Sequence, residues 1–307
     1  NSSDVIFNDD GTKMYVPDSN TGYVYQYSIS TAFDVSSASY LNYYSSGVTT
    51  QSMSFNNDGT KLFLLTANQI REYTVSTAFD TSSTVSLTTY TSLSSQESSM
   101  TGFAFNNDGT KMFTVGYNND KVYEYALSTA FDVSSSSLSF TDSLSISSQE
   151  QIPTEIRFNL DGTKMYITGN EGRDINEYTL STAFDISSTV THKGSYSLVS
   201  SDSYPTGFSF NNDGTKLFTT GANFDRVNEH SLTTPFSLVD VSGEHSGDVI
   251  NTSNTDTYDT DPDSDTLTVT AIRTGSVEGS GTAGSVGSAL TGSVSYTHLR
   301  AHETVSH

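Results

Sequence analysis

Cysteine and tryptophan are absent from this 307-residue chain, proline occurs only five times, and positive charge is scarce. The missing cysteines exclude disulfides, thiolate metal sites and cysteine nucleophiles together. With 13 Lys and Arg against 35 Asp and Glu, the net charge is −22. Such a chain has no basic surface to neutralise phosphates, so nucleic acid is excluded as a partner. No apolar run approaches the length of a membrane-spanning helix, and no secretion signal is recognisable. The chain begins at Asn1 rather than Met and therefore reads as an excerpt of a longer protein. Charged residues make up 16% and apolar residues 34%, leaving a composition rich in Ser, Thr, Asn and Gly. That balance disfavours helices and leans towards an all-β fold. The 18 Tyr and 17 Phe must then supply much of the core.

Two blocks repeat in fixed order. An Asp-Gly pair occurs at Asp10-Gly11, Asp58-Gly59, Asp108-Gly109, Asp161-Gly162 and Asp213-Gly214, spaced by 48, 50, 53 and 52 residues. Each pair lies between a Phe-Asn pair and a Thr-Lys pair, followed by an apolar alternation such as Lys111–Val115. A second block, Ser-Thr-Ala-Phe-Asp, recurs at 30–34, 76–80, 128–132 and 181–185, with Thr-Thr-Pro-Phe-Ser at 233–237. Asp-Gly between alternating apolar runs marks a tight hairpin. The third copy therefore reads as strands over Thr101–Phe105, Lys111–Val115, Val122–Leu127 and Ser134–Leu144. Helical periodicity is missing from every copy, which excludes a βαβ unit. Four antiparallel strands repeated radially describe a β-propeller blade, with a linear solenoid as a distant alternative.

The pattern also predicts which side chains share a face. Lys13, Lys61, Lys111, Lys164 and Lys216 open each second strand, and Gln26, Glu72, Glu124, Glu177 and Glu229 follow 13, 11, 13, 13 and 13 residues later. The shorter interval has lost an even number, so every pair keeps its face, and Lys and Glu are expected opposite each other across the second and third strands in four blades. Phe33, Phe79, Phe131, Phe184 and Phe236 are expected to plug the corner after the third strand. Tyr27, Tyr73, Tyr125 and Tyr178 are expected between blades.

The hairpins of sequence Phe-Asn-x-Asp-Gly-Thr-Lys, such as Phe-Asn-Asn-Asp-Gly-Thr-Lys-Met-Phe at 105–113, resemble the strand–turn–strand unit of YVTN-type and WD-like bacterial propellers. The resemblance covers residues 1–242 and implies five four-stranded blades; it implies no particular activity. After a linker at 243–257 comes Asp259-Thr-Asp261-Pro-Asp263-Ser-Asp265-Thr-Leu-Thr-Val. This stretch resembles the opening of a VCBS or cadherin-like adhesin repeat, which implies an incomplete β-sandwich-like module at 258–292. The resemblance makes Asp259, Asp261, Asp263 and Asp265 candidate Ca²⁺ ligands; a solvated acidic turn is the alternative. The tail, 293–307, breaks the pattern and looks like a non-native or disordered extension.

Departures from the repeat are where a site is sought. On the first strands, one axial position reads Asp4, Ser52, Gly102, Glu155 and Gly207, and the position two residues on reads Ile6, Ser54, Ala104, Arg157 and Ser209. Glu155 and Arg157 thus share a face of one inner strand. Glu97, Glu150 and Asp202 fall in equivalent inter-blade loops. These five residues are the candidate ligand-binding set, with a simple Glu155–Arg157 ion pair as the plain alternative. The overall expectation is a non-catalytic adhesion module of a large secreted or surface-attached bacterial protein, presenting loops to a protein or glycan. Two alternatives remain: a structural spacer, and a glycan-active enzyme using channel carboxylates. Loops that vary in length more than the strands favour binding over a spacer.

Overall fold

Each Asp-Gly block folds into the expected hairpin, and the third copy shows why. Gly109 takes φ +71°, a conformation glycine reaches without steric cost. The Asp108 carboxylate accepts from the Thr110 amide and hydroxyl, and the Asn106 side chain accepts from the Lys111 amide at 2.8 Å. Gly109 N–H closes the turn on Asn106 O at 3.1 Å.

The computed structural model describes residues 1–224 and 226–238, together with two short strands further on. The first blade is β1 (Ile6–Phe7), β2 (Lys13–Pro17), β3 (Tyr23–Ile29) and β4 (Ala38–Ser45). The second is β5 (Ser52–Phe55), β6 (Lys61–Leu65), β7 (Gln69–Val75) and β8 (Val85–Ser92). The third is β9 (Met100–Phe105), β10 (Lys111–Gly116), β11 (Lys121–Leu127) and β12 (Leu138–Ser145). The fourth is β13 (Pro153–Phe158), β14 (Lys164–Gly169), β15 (Asp174–Leu180) and β16 (Val190–Ser197). The fifth shows β17 (Pro205–Phe210), β18 (Lys216–Gly221) and β19 (Val227–Ser231) among the described residues. Every sheet is antiparallel with its strands in chain order, so the chain is an all-β, five-bladed propeller. The fourth strand of blade three starts at Leu138 rather than Ser134. A turn holds Ser134 to Ser137, with Ser137 N–H on Ser134 O, and delays the strand.

The chain divides into two units, 1–239 and 240–307. In the second unit only β20 (Ile272–Arg273) and β21 (Ala283–Gly284) are described, paired antiparallel. Asp259, Asp261, Asp263 and Asp265 lie outside the described residues, as do the linker and tail.

What holds blade to blade is a repeated ionic clamp. Lys61, Lys111, Lys164 and Lys216 pair with Glu72, Glu124, Glu177 and Glu229 at 2.6–2.9 Å. The pairs are diagonal rather than directly opposite: Lys111 faces Ala126 and Phe113 faces Glu124 across the ladder. Each lysine also donates to the carbonyl of the corner Phe in the next blade. Lys13 reaches Phe79, Lys61 reaches Phe131, Lys111 reaches Phe184, Lys164 reaches Phe236 and Lys216 returns to Phe33, all at 2.7–2.9 Å. The glutamates accept a backbone amide just beyond that same Phe, and Gln26 does so in blade one. The bonds from Lys216 and Glu229 back to blade one close the ring.

Tyr73, Tyr125 and Tyr178 are buried in the seams between blades, as expected. The corner Phe residues take φ of 51–56°, and their rings lie directly on the Asp-Gly glycines of their own blades.

Candidate functional site at the propeller axis

The first strands carry a cup of about 300 Å³ on the Asp-Gly-turn side of the axis. Its wall is a ring of five phenylalanines, Phe7, Phe55, Phe105, Phe158 and Phe210, one from each blade. Amide side chains link neighbours around the rim: Asn57 donates to Asn107 O, Asn107 to Leu160 O, and Asn212 to Asp9 O. Leu160 and Asp9 themselves carry no amide with which to continue the circle.

Arg157 lines the cup and breaks the fivefold symmetry. Its Nη2 donates to both oxygens of Asp4, at 2.8 and 2.9 Å, and its Nη1 to Glu155 Oε1 at 2.6 Å. Nη1 also reaches the carbonyls of Phe103 and Ile156. The expected Glu155–Arg157 pair is therefore a triad, and Asp4 is the member that sequence reasoning missed. The signal was present, because Asp4 occupies the axial position equivalent to Glu155. Both carboxylates are fully buried. Asp4 also accepts from Val5 N, Ser52 Oγ and Met53 N, and Glu155 Oε1 from Phe103 N and Ile156 N. Four blades are thereby tied to one guanidinium. Two buried oxygens nearby have no partner, Glu155 Oε2 and the Ser209 hydroxyl, and Ser209 lines the cup.

Burial pushes the Glu155 carboxyl well above the ordinary glutamate range; Arg157 opposes the shift and Asp4 adds to it. A carboxyl raised in the folded state keeps its proton where the unfolded chain has lost it. Stability is therefore full below about 4.5 and declines as pH rises through the raised value. His230, lowered by burial, has the opposite sign below 6.5. The turn aspartates such as Asp108, lowered chiefly by the Thr110 hydroxyl, lose their contribution only as pH falls below 3.8. The difference between wild type and Glu155→Gln isolates the one group. Urea unfolding from pH 4.5 to 8 should show a downward slope that the variant flattens; parallel curves would refute the assignment.

The remaining predicted residues stand elsewhere. Glu97 accepts from Ser99 N and from Asn118 N and Nδ2; Glu150 accepts from the amides of Ile152, Glu171 and Gly172. Asp202 accepts from Tyr204 N and Phe224 N. Each of the three is buried against a glycine of its own blade, Gly116, Gly169 or Gly221, and pins a loop. They are brought neither to one another nor to Arg157. Among the described residues, no group of three or more His, Asp or Glu is arranged to hold a metal.

No protein-family model matches the sequence, and no curated protein matches it. Solved structures of similar shape do exist. A functionally unknown protein from Desulfotomaculum acetoxidans shares 11% identity over 75% of this chain, at a TM-score of 0.45, and the chain spans 65% of its length. A candidate 6-phosphogluconolactonase from Bacteroides fragilis shares 13% identity over 75% of this chain and 80% of its own, with a TM-score of 0.48. The periplasmic gluconolactonase of Pseudomonas aeruginosa shares 14% over 63% of this chain and 53% of its own, at 0.42. Against the expectation of a protein without catalysis, two of the chains this propeller is similar to are called lactonases.

Proposed function

We propose that the axial cup holds and hydrolyses a small oxygen-rich sugar derivative, of which an aldonolactone is the simplest. The observation that carries this reading is the Asp4–Arg157–Glu155 triad beneath a cup of about 300 Å³, at the point where the fivefold repeat is broken. The phenylalanine wall offers apolar faces to a sugar ring, and the amide rim offers partners for its hydroxyls. Arg157 lines the cup and sets its positive charge at the floor, where a lactone carbonyl would develop negative charge as water adds to it. Breaking the ring C–O bond then leaves an oxygen that needs a proton. Neither buried carboxyl lines the cup, so the proton passes by way of water: Glu155, raised above the usual range, is suited to give one and Asp4 to accept one.

The test uses D-glucono-1,5-lactone and D-galactono-1,4-lactone, with acid release followed by an indicator dye. Turnover above the spontaneous rate is expected. Ser209→Ile puts at the floor the residue that blade one carries there, Ile6, so the fold should tolerate it. With the melting temperature unchanged, KM should rise at least about tenfold as the cup fills. Rates equal to the spontaneous ones, or a Ser209→Ile variant with unaltered KM, would remove the cup from the argument.

A further inference from the structure

Blade one carries an aromatic face that none of the next three blades reproduces. Tyr23, Tyr25 and Tyr27 alternate along β3 and so point to one side of the sheet. The β4 residues paired with Tyr25 and Tyr27 are Tyr43 and Tyr40, which places five tyrosines on that side. Tyr23 and Tyr43 are stacked at 4.5 Å with planes 24° apart. Tyr25 lies 6.2 Å from both Tyr23 and Tyr43, and Tyr40 stands edge-on to Tyr27 at 6.0 Å. Tyr40 and Tyr43 are 55% and 50% exposed. At the positions of Tyr23 and Tyr25, the next three blades carry Gln69 and Arg71, Lys121 and Tyr123, and Asp174 and Asn176. The face is thus not a requirement of the repeat.

We propose that this tyrosine face binds a neutral polysaccharide, with pyranose rings laid on Tyr43 and Tyr40. Each tyrosine offers an apolar ring face together with a hydroxyl, and the exposed Ser45 of β4, paired with Tyr23, adds a further donor and acceptor. None of the five aromatic positions, nor their flanking β4 residues, carries a cation or an acid, so the face has nothing to pair with a charged glycan. The net charge of −22 adds long-range repulsion against polyanions. Addition of a protein strand at this edge is hindered, because Leu41 has no partner in the β3–β4 ladder and forms a bulge there. The surface lies on the outer strands of blade one and shares no residue with the axial cup.

Affinity electrophoresis tests the proposal, with native gels containing laminarin, hydroxyethylcellulose, xylan, galactomannan or the polyanion alginate. At least one neutral polymer should retard the wild-type protein, and alginate should not. Tyr40→Ala and Tyr43→Ala should each weaken that retardation about tenfold, with melting temperatures unchanged because both rings are half exposed. Ser209→Ile should leave the retardation intact, which separates this surface from the cup. The proposal is overturned if no neutral polymer retards the protein, if the tyrosine variants migrate like wild type, or if alginate binds as well as the neutral polymers.

Discussion

Replacing Arg157 by Met is expected to lower the unfolding free energy by about 3–5 kcal/mol, since it leaves the buried Asp4 carboxylate without its cation and the buried Glu155 carboxyl without its donor. The melting temperature should fall by roughly 10 °C on the scale of a domain this size. Asp4 would lose both bonds from Nη2 and Glu155 the bond from Nη1, while the carbonyls of Phe103 and Ile156 would lose a donor. The repeat itself supplies the control. Blade two builds the same hub positions from Ser52 and Ser54. A triple variant, Asp4→Ser, Glu155→Ser and Arg157→Ser, copies that arrangement and removes all three ionisable groups together. It should recover most of the stability, because replacing a whole buried ionic cluster is far less costly than breaking one. The same variant should have no lactone turnover, which would place the triad on the side of chemistry rather than folding. A single substitution that costs less than about 1 kcal/mol would show the guanidinium to be more solvated than its contacts imply.

How much of this was legible beforehand depended on the reach of each interaction along the chain. The hairpin at Asn106–Lys111 is written within six residues, so turn chemistry and apolar alternation were enough to place it. The Lys–Glu pairing needed only a parity argument over 11 or 13 residues, and it held in four blades. Parity fixes the face but not the register, which is why a pair expected to be opposite is diagonal. The second partner of each lysine, a carbonyl in the next blade, could not be read at all. Lys216 and Phe33 are 183 residues apart, and nothing in a strand pattern states that a ring closes. The same limit hid Asp4, which meets Arg157 from 153 residues away. Glu97, Glu150 and Asp202 were singled out because acids in loops suggest ligands. The glycines against which they pack recur at fixed places, Gly116, Gly169 and Gly221, and were the available signal for a structural role.

The corner phenylalanines lead to the second large effect, and it runs against a common ordering of substitutions. Phe131 holds φ +54°, a left-handed conformation that costs any residue with a β-carbon about 1–2 kcal/mol. Two contacts make the conformation worth keeping. Its ring covers Gly109 so closely that a methyl group there would come within 2.2 Å of it, and its carbonyl receives the Lys61 ammonium at 2.7 Å. Phe131→Ala removes the ring, keeps the strained backbone and should cost about 3 kcal/mol. Phe131→Gly removes the same ring but releases the strain, so it should be less harmful than Ala by up to about 1 kcal/mol, despite the greater freedom of glycine in the unfolded chain. In an ordinary strand position the order would be reversed. Guanidinium unfolding of the two variants decides the matter. If Ala proves equal to Gly or better, the corner is held by the ring alone, and the backbone geometry that presents the carbonyl to the neighbouring blade contributes nothing measurable to the clamp.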